Sequence, residues 1–286
     1  MTTIYRTEAG GRRVRERYAE TLRAWPVPYE HRRVPTREGE TFVVVSGREQ
    51  APPLVLLHGS GTNAAMWMGD VGTWAEHFRV YAVDVIGEPG LSAPARPALD
   101  TQAHALWLDD VLAGLGVTTT AVVGASLGGW LAIDYATRRP GRVTNLALLC
   151  PGGIGRQTWG WVLPALLLKP FGRWGVRRTL RAVAGLDLAG AEEFLDGMTL
   201  THQHFLPRRD RLPVFSDDAL RSLTMPMLVI AGERDAMLDS RDTARRLAGT
   251  VPHADVRVLP GVGHSIVGQR DAVLAHLGVS RAGPRP

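Results

Sequence analysis

Short apolar runs alternate with helical repeats along most of this chain. Residues 54–57, 80–83, 121–123, 143–150, 227–231 and 256–259 are apolar, rich in β-branched residues and bounded by glycine, proline or aspartate. Runs of that length and composition predict buried strands. Between them lie helical patterns, such as residues 103–114 and the series Trp130, Leu131, Ile133, Ala136. Strand and helix in alternation predict an α/β chain with a mostly parallel, doubly wound sheet. Ahead of that pattern, residues 29–35 and 40–45 flank Arg37-Glu38-Gly39 and predict an antiparallel hairpin at the sheet edge. Residues 12–24 predict an amphipathic helix, because Val14, Tyr18 and Leu22 recur every fourth position. From about 154 to 222 no strand-like run occurs; helical segments carry Trp159, Trp161, Phe171, Trp174 and Phe205. The alternation resumes at Met225.

One pentapeptide gives this pattern a chemistry. Gly124-Ala125-Ser126-Leu127-Gly128 follows the run Ala121-Val122-Val123 and opens a helical pattern. In that context G-x-S-x-G marks a nucleophile elbow: a turn tight enough to need small neighbours, which lifts the serine hydroxyl clear of the sheet. Two later strands end in candidate partners. Residues 225–232 run into Glu233-Arg234-Asp235, and residues 256–259 run into Pro260-Gly261-Val262-Gly263-His264. The chain order Ser…Asp…His differs from that of chymotrypsin-like and subtilisin-like proteases.

With these motifs the chain resembles the α/β-hydrolase fold family from about residue 30 to 277. Two further segments strengthen the resemblance: Leu54–Leu57 running into His58-Gly59-Ser60-Gly61, and Asp84-Val85-Ile86-Gly87-Glu88-Pro89-Gly90-Leu91-Ser92. The first is similar to the family's oxyanion loop, which implies the backbone N–H groups of Ser60 and Leu127 as oxyanion donors. The second corresponds to a loop that shapes the pocket and carries no chemistry. The family inserts a helical cap between its sixth and seventh strands, which implies residues 154–222 as a cap. The expected organisation is an N-terminal helical extension (1–28), a core (29–153 and 223–280), the inserted cap and a flexible tail (281–286).

A serine hydroxyl is a poor nucleophile at neutral pH and needs a base, which in turn needs an orienting group. Ser126, His264 and Asp235 fill these roles. The family's placement of the acid just after Gly-x-x favours Asp235 over Glu233 and Asp239, with Asp84 as a remote alternative. His58 is expected to brace its loop rather than act as a second base. His202-Gln203-His204 lacks matched ligands nearby, so hydrogen bonding within the cap is favoured over a metal site. Trp159 and Trp161 are candidate pocket residues; Trp67 and Trp130 either line the pocket or pack.

Residues 204–208, 212–218 and 223–226 are similar to segments of small bacterial carboxylesterases of this fold. A serine nucleophile disfavours the haloalkane dehalogenase and epoxide hydrolase branches, and Ala125 departs from the elbow of proline iminopeptidases. The expected activity is therefore hydrolysis of a carboxylic ester, with a specialised metabolite as one substrate class. Acyl transfer, thioester hydrolysis and carbon–carbon bond hydrolysis use the same triad, and a ligand-binding member of the fold would keep the pocket without turnover.

Composition narrows the remainder. At 286 residues and 45% hydrophobic content the chain accommodates one catalytic domain with a sizeable core. Cys150 is the only cysteine, which excludes an intramolecular disulfide, and its place at the end of an apolar run predicts a buried inert thiol. The net charge is +5, and Lys169 is the only lysine among 33 basic residues. The arginines are scattered rather than interleaved with aromatics, so no nucleic-acid partner is expected. No signal-peptide pattern and no membrane-length apolar run occur, which predicts a cytoplasmic protein without membrane insertion. Neither cofactor nor metal is expected; the partner is a small-molecule ester or acyl compound, and oligomeric state is left open.

Overall fold

Strand residues of opposite parity bury on opposite faces of one eight-stranded sheet. The computed structural model describes residues 3–185, 192–208 and 210–279; the expected tail at 281–286 lies outside the described residues. The first half comprises α1 (Glu8–Leu22), β1 (Tyr29–Thr36), β2 (Gly39–Ser46), β3 (Pro53–Leu57), α2 (Met68–Trp74), β4 (Arg79–Val83), α3 (Ala103–Gly114), β5 (Thr120–Ala125) and α4 (Leu127–Arg138). The second comprises β6 (Val143–Leu149), α5 (Val162–Leu168), α6 (Gly172–Ala184), α7 (Glu192–His204), α8 (Asp217–Arg221), β7 (Met227–Gly232), α9 (Ser240–Thr250), β8 (Asp255–Leu259) and α10 (Arg270–His276).

The strand order is β1-β2-β4-β3-β5-β6-β7-β8. β1 and β2 form the antiparallel hairpin, with β1 at the edge, and β2 is antiparallel to β4; the other pairs are parallel. On one face Val55, Leu57 and Val122 pack with Trp107 and Leu108 of α3, Leu131 of α4 and Leu247 of α9. On the other, Leu54, Leu56 and Val123 pack with Val71 of α2, Val273 of α10 and Tyr18 of α1. These side chains are almost wholly buried, and each aliphatic one contributes roughly 1.5–3 kcal/mol by leaving water. The chain leaves β3 for β4 on one side and returns to β5 on the other. The loops after β3 and β5 therefore face each other at the carboxyl edge, where such sheets form their crevice.

The N-terminal helix begins earlier than its periodicity suggested. Thr7 caps it by accepting a hydrogen bond from the Gly10 amide, and Glu8 occupies the first turn, where a negative charge meets the positive end of the helix dipole. Gly10 and Gly11, which read as helix breakers in isolation, let α1 approach its neighbours closely. A Cβ on Gly10 would lie 2.5 Å from the His204 ring, and one on Gly11 would lie 2.7 Å from Tyr5. The segment before α1 pairs with the end of α7: the Arg6 amide donates to the His204 carbonyl and the Leu206 amide to that of Ile4, both at 2.8 Å. These bonds tie the N-terminal segment to the end of α7. Leu220 and Leu223 join the buried cluster beneath α9, so α8 packs with the core rather than with α5–α7.

Candidate active site

Ser126 sits alone between β5 and α4, at φ 50° and ψ −108°. Its backbone is the reason for the flanking glycines. A Cβ on Gly124 would lie 2.5 Å from the Gly128 carbonyl oxygen, and one on Gly128 would overlap the Leu57 carbonyl of β3. The strained turn is held by its own backbone: the Ser126 amide donates to Leu149, and its carbonyl accepts from Trp130 and Gly152. Cys150, directly after β6, is the other non-glycine residue with positive φ among those described, at 41°. Two such residues side by side mark a locus where the fold tolerates strain.

The loops after β7 and β8 bring two partners to the serine. His264 Nε2 lies 3.0 Å from Ser126 Oγ, and His264 Nδ1 lies 2.7 Å from Asp235 Oδ2. With Nδ1–H donating to the carboxylate, Nε2 is left to accept from the hydroxyl. Asp235 is itself fixed, its Oδ1 accepting from the amides of Met237 (2.7 Å) and Leu238 (3.0 Å). The competing acids are engaged elsewhere. Asp239 caps α9 and pairs with Arg156. Glu233 accepts from the Gly261 amide. Asp84 lies deep in the core, accepting from the Tyr18 hydroxyl, the Ala64 amide and the Leu91 amide. Burial pushes the His264 imidazole pKa down, but charge interaction with Cys150 and the hydrogen bond to Asp235 outweigh it and hold the pKa well above 6.5. The Cys150 thiol is buried as expected, yet its Sγ is 3.9 Å from His264 Nε2 and faces the cavity.

The loop after β3 is braced from beneath. His58 is fully buried; its Nε2 accepts from the Val85 amide, so Nδ1–H donates to the Gly59 carbonyl, each at 2.9 Å. Burial lowers its pKa to about 4, which keeps it neutral, and its ring is spent on the loop rather than on proton transfer. Glu88 is a brace the sequence reading missed. Its Oε2 accepts from the Gly61 amide (2.7 Å) and the Ser60 hydroxyl (3.1 Å). Burial raises its pKa to about 7 against the lowering effects of the Gly61 amide and Arg96. With the Gly61 amide engaged, the amides of Ser60 and Leu127 remain without an acceptor in the chain among the described residues.

Above the serine lies a cavity of about 480 Å³, lined by Leu149, Cys150 and Ile266 of the core and by Leu180, Val183 and Met198 of α6 and α7. Of the four candidate tryptophans, Trp161 lies on its wall. Trp67 does not: its short helical turn directs the ring into the core against Trp74. Trp130 is also buried, stacked on Phe215 with its Nε1 donating to the Pro213 carbonyl at 2.8 Å. Trp159 lies half exposed beneath the Arg211 guanidinium, off the cavity. His202 lines the cavity with Nδ1 bonded to the Met198 carbonyl, whereas His204 packs against α1. No metal-binding cluster of histidine, cysteine and carboxylate occurs among the described residues.

A doubly wound sheet with a strained serine at the strand–helix turn, and a histidine and an aspartate from later loops, defines a class. The chain belongs to the alpha/beta hydrolase family, whose model matches residues 54–276. Among curated relatives it is 32% identical to the uncharacterized carboxylesterase nap of Bacillus subtilis, over 89% of this chain and 87% of that protein. It is 31% identical to carboxylesterase YbfK of the same organism, over 89% and 88%. Among solved structures, carboxylesterase CesB (YbfK) from Bacillus subtilis aligns with a TM-score of 0.83 at 29% identity, covering 95% of this chain and 100% of that one. Naproxen esterase from Bacillus subtilis gives 0.81 at 29% identity, covering 95% and 97%. No helix among the described residues is long and apolar enough to cross a membrane.

Proposed function

We propose that this protein is a serine carboxylesterase that cleaves small-molecule esters through an acyl-enzyme on Ser126. The observation that carries the reading is the hydrogen-bonded series Ser126–His264–Asp235 at the floor of a largely apolar cavity. The carboxylesterase relatives across nearly the whole chain support it.

Ser126 Oγ attacks the ester carbonyl carbon while His264 Nε2 takes its proton. Asp235 keeps Nδ1 protonated and stabilises the imidazolium. The negative oxygen of the tetrahedral intermediate falls to the amides of Ser60 and Leu127, each worth ~3–4 kcal/mol in such a role. As the intermediate collapses, His264 returns the proton to the departing alcohol. Water then repeats the sequence on the acyl-enzyme, releasing the acid and restoring the serine. Leu180, Val183, Met198 and Trp161 hold the apolar part of the substrate and exclude bulk water.

The test is turnover of p-nitrophenyl esters from acetate to decanoate by wild type and Ser126→Ala. The expected outcome is turnover on short to medium chains, reduced roughly 10⁶-fold in the variant. Equal turnover by both proteins, or none by wild type on any chain length, contradicts the reading.

A further inference from the structure

Six of the nine exposed large apolar side chains among the described residues fall within one short stretch: Trp159, Leu163, Leu166, Leu167, Phe171 and Trp174. Leu163 and Leu167 are each 66% exposed and Phe171 is 63% exposed. Clusters of this kind on a protein surface mark an interaction site. The pattern on α5 is orderly. Val162, Ala165, Leu166 and Lys169, spaced three and four apart, line the cavity above Ser126, whereas Leu163 and Leu167 point the other way. The helix is apolar on both sides: its inner side lines the cavity, and among the described residues nothing buries its outer side.

Charge identifies the occupant. Residues 156–185 contain six cations and no carboxylate, against +5 for the whole chain. Glu192 and Asp196 of α7 take up Arg173, Arg177 and Arg181. Arg178 and Arg211 have no carboxylate partner among the described residues and lie over the rings of Trp174 and Trp159, whereas Lys169 lines the cavity. A second copy docking face to face would bring these cations against themselves. An anionic lipid surface answers both features: acyl chains receive the leucines, the headgroup zone suits the aromatic rings, and phosphates meet the cations. At seven residues α5 is far too short to span a bilayer and would lie in its plane.

We infer that the outer face of α5 and the start of α6 docks on anionic phospholipid surfaces, placing the cavity beside the lipid from which an ester can enter. This goes beyond the esterase reading and is measured without catalysis. The experiment is flotation of the full chain with phosphatidylglycerol-containing vesicles and with pure phosphatidylcholine vesicles, for wild type and for the triple variant Leu163→Ser, Leu167→Ser, Phe171→Ser. None of those three residues lines the cavity. Wild type is expected to float with the anionic vesicles, less so at high salt. The triple variant should lose roughly tenfold or more of that partitioning, with thermal midpoint and turnover of a soluble p-nitrophenyl butyrate unchanged. Absence of flotation, equal flotation of the triple variant, or equal binding to both vesicle types overturns the inference. So does a lipid-independent dimer in sedimentation that the triple variant abolishes, which would assign the face to a second copy.

Discussion

The two sides of the cavity are built on different principles. The sheet side places Ser126, His264, Asp235, His58 and Glu88 on loops braced by hydrogen bonds, and Gly124, Gly128 and Gly232 beside them leave no room for a methyl group. The opposite side meets the same cavity with α5 and α6, and the outer apolar residues Leu163, Leu167 and Trp174 are mostly in water. Reacting atoms must be held to within a fraction of an ångström, and that demands over-determined packing. A wall that admits a substrate, or rests on a surface, needs apolar area and freedom to adjust. Substitutions at the tightly packed turn and among the bonded groups around Ser126 should therefore cost activity or stability heavily, and those on the outer face of α5 should leave both nearly intact.

The sharpest contrast comes from Asp235→Asn, which leaves the shape of the loop but removes the charge that orients His264. It should lower kcat by about 10⁴-fold with little change in KM; steady-state kinetics on a p-nitrophenyl ester measures it. Gly128→Ala should cost roughly 3 kcal/mol or more in urea unfolding, because the new methyl group meets the Leu57 carbonyl and cannot rotate away.

Glu88→Gln isolates the brace under the loop after β3. The folded carboxyl ionises at about 7 instead of 4.5. Between those values the unfolded chain releases a proton that the folded chain keeps, so wild-type stability falls as pH rises through the window, by on the order of 3 kcal/mol. The variant lacks this term and should gain stability relative to wild type from about pH 4.5 to 7. His58, whose folded pKa is lowered, acts in the opposite direction but is common to both proteins and cancels. A flat difference in unfolding free energy would remove Glu88 from its assigned place.

In the proposed mechanism His264 acts as the base only when neutral, and its pKa is held above 6.5. kcat/KM should therefore rise with pH along a limb centred above 6.5, and a midpoint below that value would contradict the geometry around His264. The smallest effect is expected on the outer face of α5: Leu167→Ser should change folding stability by no more than about 0.5 kcal/mol, because the side chain is already in water. A larger loss would show that this face has a partner within the chain.

What the sequence disclosed follows the same division. Strands such as Leu54–Leu57 and the elbow at Ser126 were legible because period, turn chemistry and motif lie within a few neighbouring residues. Asp235 and His264 were legible because each ends a strand that could be recognised on its own. Glu88 was not, since its partner Gly61 lies 27 positions away; an acid set between Gly87 and Gly90 just after a strand was the available signal. Cys150 reaches His264 across 114 positions, and nothing local announces it. Trp67 and Trp130 stand near the motif in the chain, but Trp74, Phe215 and Pro213 decide where their rings go. The start of α1 was obscured by Gly10 and Gly11, whose value lies in close contact with Tyr5 and His204.

The central claim is that Ser126, activated by His264, is the nucleophile. Reaction with diethyl p-nitrophenyl phosphate followed by intact-mass and peptide analysis tests it most directly, because the phosphoryl group stays on the attacking atom. The account predicts one adduct per chain, located on Ser126 and lost in His264→Ala. An adduct on another residue, or labelling of Ser126 that persists without His264, would contradict it.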